Sequence, residues 1–192
     1  AKLQWGIMVC VYGMSHVPAL LLLSFPGYEG KSAFLVFFLV IVVQSCMLVQ
    51  HLVSRRKAMP DEGAPAPERL PGLLGAIRYR LFMQPPFAPN VSRSFNWTSW
   101  ALGMAIAGVV GGLFSFITPF KFGQAFAMSL IACVAGSMGH LVMKALKRDR
   151  GIPNWGRRGV GVTGANGLLD RVDALCFAAP VFFHAVRWYF QV

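Results

Sequence analysis

The sequence predicts an all-α integral membrane protein with about five transmembrane helices and a cytoplasmic N-terminus. Three observations carry this. The 192 residues are 56% hydrophobic, and the mean hydropathy is +0.56, well above that of soluble domains. Five nearly uncharged apolar runs, at residues 5–25, 32–53, 97–117, 124–146 and 172–190, each approach the ~20 residues that cross a ~30 Å hydrocarbon core. Finally, Lys and Arg are distributed asymmetrically. Five spans place residues 54–96 and 144–171 on one side of the membrane, and Lys2 joins them. Only Lys31, Lys121 and Arg187 fall on the other side, so the positive-inside rule puts the N-terminus inside and the C-terminus outside.

The first run is read as a span rather than a signal peptide, because it is long and lacks a basic leader. It contains Ser15, His16 and Pro18, and a proline inside a helix predicts a kink. Phe25-Pro26-Gly27-Tyr28-Glu29-Gly30 reads as a short outer loop. The second span ends at the basic stop Arg55-Arg56-Lys57. A stretch rich in Pro, Ala and Gly follows and reads as a mobile cytoplasmic linker. Within it, residues 73–83 place apolar and basic residues at helical spacing, as in an amphipathic helix lying on the inner surface. Gln84-Pro85-Pro86 ends any such helix.

The third span carries Gly103, Gly108, Gly111 and Gly112. The fourth carries Ser129, Ala132, Ala135, Gly136 and Gly139. Small residues at these spacings let helices approach closely in lipid, so the two predict a hairpin joined at Thr118-Pro119-Phe120. The fifth span is the most polar, with Asp173 and Arg187 near its ends. The division expected is one membrane domain over 1–192, made of a two-helix part (1–53), the linker (54–96) and a three-helix part (97–192).

Cys10, Cys46, Cys133 and Cys176 lie in apolar runs without CxxC spacing and read as small buried hydrophobes. The net charge of +11 is mostly a property of the cytoplasmic face. It suits contact with a phospholipid bilayer, above all anionic lipid. No module for nucleic acid is visible. His16 and His184 match in depth, as do His51 and His140, and paired histidines on facing helices are what a b-type haem would require.

Residues 147–173 are the most informative stretch. They hold Lys147-Arg148-Asp149, Gly151, Gly164, Gly167 and Leu169-Asp170-Arg171-Val172-Asp173, followed by Phe177-Ala178-Ala179-Pro180-Val181-Phe182-Phe183. With the run from Thr118 to Ala125, these resemble the C-terminal half of the phosphatidate cytidylyltransferase (CDP-diacylglycerol synthase) family, as a divergent member. The resemblance covers about residues 91–183. It implies a protein of the bacterial inner membrane, and an activity that joins CTP to phosphatidic acid with release of pyrophosphate. It also implies Mg²⁺ held by carboxylates, and basic side chains on the phosphates. On this resemblance Asp170 and Asp173 are the candidate catalytic and metal-binding residues. Lys144, Lys147, Arg148, Arg157, Arg158 and Arg171 are the candidates for lipid or phosphate.

The sequence departs from the family pattern at several chemical positions. An acidic residue is expected after the glycine of the penultimate helix, where Gly139 is followed by His140. A serine is expected where Lys144 stands, and a Lys-Asp pair where Pro153 and Asn154 stand. The glycine turn with its histidine reads Gly164-Ala165-Asn166-Gly167. Val91-Ser92-Arg93-Ser94-Phe95-Asn96-Trp97 occupies the place of an upstream motif with a lysine. An Asp expected near the end of the second helix is replaced around Ser45-Cys46. Of seven acids, Glu29 is on the outer side and Asp61, Glu62 and Glu68 lie in the linker. That leaves Asp149, Asp170 and Asp173. Two carboxylates at i, i+3 suit one Mg²⁺ at most, and His140 is a poor ligand for a hard cation. The expectation is therefore a degraded active-site motif: a cytidylyltransferase-like pseudoenzyme with no cofactor (Mg²⁺ if catalytic), acting as a lipid-binding or structural subunit with other subunits of a membrane complex. The alternative is an active phosphatidate cytidylyltransferase.

Overall fold

The computed structural model describes residues 4, 7–56, 86–88, 91–151 and 168–191. The predicted amphipathic helix at 73–83 and most of the linker lie outside these residues.

The first apolar segment, α1 (Ile7–Leu22), is not one regular helix. It runs as a π-helical turn over Ile7–Gly13, an α-helix over Met14–Ala19 and a 3₁₀ turn over Leu20–Leu22. Pro18 lies inside it and has no N–H for the carbonyl four residues back, which accounts for the irregularity expected there. The outer loop turns through Gly27 at φ +78° and Gly30 at φ +71°, conformations open to glycine. Tyr28 ties this loop to the rest of the protein by donating its hydroxyl to the Ile117 carbonyl.

Next come α2 (Ala33–Arg56), α3 (Trp97–Leu113), α4 (Phe122–Asp149) and α5 (Leu168–Phe190). Between α2 and α3 the chain forms an antiparallel hairpin, β1 (Pro86–Ala88) with β2 (Ser92–Asn96). The sequence reading anticipated no strand here. The pairing delivers the chain into α3, where the Ser99 hydroxyl accepts from the Asn96 N–H at 3.1 Å and donates to its carbonyl at 2.8 Å. At the start of α4 the Gln124 side-chain oxygen accepts from the Lys121 N–H at 2.9 Å. Lys147 and Arg148 occupy its last turn, where cations complement the helix dipole.

Among the described residues, three helices are long and apolar enough to cross a membrane: Ala33–Ser54, Trp97–Ile117 and Phe122–Asp149. The expected count of five adds α1 and α5, which are of a different kind. α1 is shorter, and α5 carries Asp173, His184 and Arg187 within its length.

The packing is that of a membrane protein. α4 lies against both α3 and α5, α2 covers all three, and α1 rests on α5. Lipid offers little hydrophobic drive for helix association, so close contact and hydrogen bonds hold such bundles together. The small residues provide that contact. A Cβ on Gly103 would come within 2.7 Å of Gln50 Cγ, and one on Gly111 would overlap Ser129 Oγ. Large apolar side chains such as Phe37, Leu48, Val109, Leu113 and Val134 point outward, as a lipid-facing surface requires. The glycines of α3 thus serve the inside of this chain.

Candidate functional site

Along α4, Cys133, Ser137, His140 and Lys144 recur at i, i+4, i+7 and i+11 and so share one face. That face meets α2 in its middle and α5 toward the C-terminal end of α4. Gly139 makes the second contact possible, because the Phe177 ring lies where its Cβ would be. Gly136 lets the Ala174 carbonyl come within 3.4 Å of the same kind of position. The two helices therefore nearly touch at one level, and the residue after Gly139 is carried onto α5.

There His140 Nδ1 donates to Asp173 Oδ2 at 2.8 Å. The other carboxylate oxygen, Oδ1, accepts from the Ala174 N–H at 2.7 Å. Asp173 is only 2% exposed. A carboxylate this deeply placed needs a partner, since desolvating it alone costs several kcal/mol. The imidazole supplies that partner at the position where the family pattern expects another acid. Two facing carboxylates would repel and call for a cation; a carboxylate facing an imidazole does not.

Lys144 lies one turn further along α4, half-buried, and close enough to feel the charges of Asp173 and Lys147. Lys147 is half-buried and Arg148 exposed. Asp149 is exposed and pairs with Arg150 at 3.3 Å. Asp170 and Arg171 fall in the first turn of α5, but their side chains are outside the description. Arg157, Arg158 and the glycine turn at 164–167 are also outside it. Among the described residues no group of three His, Cys, Asp or Glu side chains could hold a metal. Magnesium takes several oxygen ligands in octahedral array. Among the described residues Asp173 is the one carboxylate at this point, and both its oxygens are hydrogen-bonded.

Sequence reasoning treated His140 as a lost acid, a poor ligand for a hard cation and a candidate haem partner of His51, and missed its pairing with Asp173. The i, i+3, i+7 spacing of Ser137, His140 and Lys144 was the available signal. It also missed Gln50 of α2, whose Nε2 donates to Ser137 Oγ at 2.9 Å across the bundle. Of the histidines matched by depth, His16 and His184 do come together, with ring centroids 5.4 Å apart. Phe183 packs beside both rings, at 5.2 and 5.4 Å. His51 is exposed, and His140 is engaged with Asp173.

A model of the cytidylyltransferase family matches residues 80–189. The uncharacterized protein YnbB of Escherichia coli (strain K12) is 31% identical over 188 residues, covering 96% of this chain and 52% of that protein. The phosphatidate cytidylyltransferase of Rickettsia felis is 30% identical over 112 residues, 54% of this chain and 48% of that one. Its Rickettsia bellii counterpart is 29% identical over 104 residues, 50% and 44%. The chain thus spans about half the length of the curated relatives it matches. No solved structure matches it.

Proposed function

The chain belongs to the cytidylyltransferase family, and on that premise we propose that it is a non-catalytic member that holds anionic phospholipid at the inner face of a bacterial cytoplasmic membrane. It does so as a lipid-binding or structural subunit beside other membrane proteins. The observation that carries this reading is the His140–Asp173 pair. It satisfies a family carboxylate internally, where metal-assisted nucleotidyl transfer would need that carboxylate facing a cation. In this reading α1 and α5 complete a five-span bundle with the N-terminus inside. Lys144, Lys147 and Arg148 then gather at the inner boundary, where Arg157, Arg158 and Arg171 add to the same charge.

Two measurements test it. Purified protein given CTP, Mg²⁺ and phosphatidic acid is expected to form no CDP-diacylglycerol above background, under conditions where a phosphatidate cytidylyltransferase does. Turnover that Asp170→Asn or Asp173→Asn abolishes would establish the active enzyme instead. For the lipid role, the triple substitution Lys144→Gln, Lys147→Gln and Arg148→Gln is expected to lower retention of anionic over zwitterionic lipid in mild detergent. The effect should be roughly fivefold per charge, from about 1 kcal/mol each near a membrane surface. Unchanged retention at physiological salt removes these side chains from the lipid site.

A further inference from the structure

A groove of about 570 Å³ lies between α1 and α5, within the ~300–1,000 Å³ range of sites for small ligands. Met8 and Tyr12 line it from α1, and Phe177, Pro180 and Val181 line it from α5. Gln4 lines the end at which α1 begins. The groove opens on the outside of the bundle, since Met8, Tyr12 and Val181 are 56%, 47% and 43% exposed. Ile7 and Val11 beside it are also exposed. An apolar surface of this kind has the acyl region of the bilayer as its solvent.

Two features distinguish this groove from a gap between helices. Its α1 wall is the π-helical turn Ile7–Gly13. Such turns are rare and recur at functional sites. Where the turn ends, Gly13 brings the two helices together, and a Cβ there would lie 2.3 Å from the Cys176 carbonyl oxygen. The second feature is charge at the other end. Gly13 meets Cys176, His16 meets His184 and Phe25 meets Phe190, so α1 and α5 run parallel. Gln124 meets Tyr189 and His140 meets Asp173, so α4 runs antiparallel to both. The last turn of α4, with Lys147 and Arg148, therefore lies at the end where α1 begins. Val9 joins Met143 of α4 in a buried cluster, with Leu146 packed against it. Met143, Leu146 and Lys147 follow at i, i+3 and i+4 and share one helix face, so Lys147 stands on the side of α4 that backs the groove.

We propose that this groove seats one acyl chain of an anionic phospholipid whose phosphate lies at Lys147. The proposal rests on the reading of Lys144, Lys147 and Arg148 as lipid-binding cations, and adds where the tail of that lipid lies. One molecule meets both demands, a charged group at the basic end and a hydrocarbon chain along the rest. A transmembrane partner helix does not. It needs a seat of ~20 residues, and the groove runs beside residues 4–13, about two turns and a half of helix. The α1 wall lies outside residues 80–189, which the family model matches, so this seat is built partly from sequence beyond the family match.

The test maps where a lipid tail lies. The full chain is reconstituted in phosphatidylcholine vesicles with a trace of phosphatidylglycerol carrying a diazirine midway along one acyl chain. After illumination the protein is digested and the crosslinked peptides are identified by mass. The expected result is crosslinking concentrated on the peptides of Met8, Tyr12 and Val181, well above that at Val109 and Leu113, which are exposed on α3. Val181→Trp fills the groove from an exposed position and is expected to remove the crosslinks at Met8 and Tyr12 while leaving those on α3. Lys147→Gln is expected to lower the groove yield roughly fivefold. Phosphatidylcholine carrying the same photoactive chain is expected to show no enrichment. Equal yields in the groove and on α3 overturn the proposal; anionic retention in mild detergent that persists beside such an even pattern leaves the charge reading standing and removes the groove alone. Groove enrichment that is equal for the two lipids removes the phosphate contact at Lys147, and overturns the proposal together with the reading it rests on. The wild-type map stands by itself if a variant fails to fold.

Discussion

Replacing His140 with Leu lowers the stability of the protein by about 3 kcal/mol. Breaking a buried pair by removing one partner costs about 3–5 kcal/mol, because the other charge is left without compensation. Asp173, 2% exposed, is the group left behind. The lower end of that range applies because the His140 side chain keeps 18% exposure, and water can reach part of the gap. The Ala174 N–H still holds Oδ1; Oδ2 loses its donor. Adding Asp173→Leu to His140→Leu is expected to recover most of the loss, since an apolar pair of similar volume is often neutral where a buried polar pair stood. His140→Asp goes further: it sets two carboxylates face to face and should be the least stable of the three without divalent cations, with Mg²⁺ restoring part of the stability. Unfolding in a detergent series measures all of these. A loss below about 1 kcal/mol for His140→Leu, the range of exposed pairs, would mean that the pair is solvated and that Asp173 is not committed as described.

Gly139→Val is expected to be at least as damaging, with a loss of about 3 kcal/mol or more. Overpacking commonly costs about 1–3 kcal/mol, and more where nothing can yield. Here the added Cβ would overlap Cβ, Cγ and Cδ2 of Phe177, the stem of that side chain rather than its tip, so a rotamer change cannot relieve it. α4 and α5 must separate, and His140 moves away from Asp173 with them. Gly123 of the same helix is the control, because a Cβ there meets nothing within 4 Å. Gly123→Ala should be neutral or stabilising by a few tenths of a kcal/mol, as expected where glycine only costs helix entropy. Equal effects at the two positions would show that helix propensity, not contact with Phe177, sets the result.

The long apolar runs of α2, α3 and α4 are legible because a bilayer-spanning helix is defined by length and composition, both local properties. The small residues of α3 and α4 were legible as packing surfaces for the same reason. The breaks within α1 could be anticipated from Pro18, but not the π-helical turn at Ile7–Gly13, where Gly13 comes against the Cys176 carbonyl of α5. The hairpin of Pro86–Ala88 with Ser92–Asn96 escaped notice, since prolines and short polar runs read as a linker until a partner strand is known. At the candidate site, the sequence identified Asp173 and flagged His140 as foreign to the family pattern. It did not join them, because they stand thirty-three residues apart.

The amino-acid sequence alone therefore determined the solvent of this protein, its helical class, its family and the loss of acids from the family motif. Each of these is written in composition or in short motifs. The tertiary structure decided what the replacements do. Gly139 lets α5 approach until an imidazole and a buried carboxylate become each other's partner, and Gly103 closes α3 over an amide that bonds Cys46 and Ser137. Those outcomes depend on which helix faces which, and at what depth. In lipid that choice is made by close contact and hydrogen bonding between helices, which no single segment of the chain encodes.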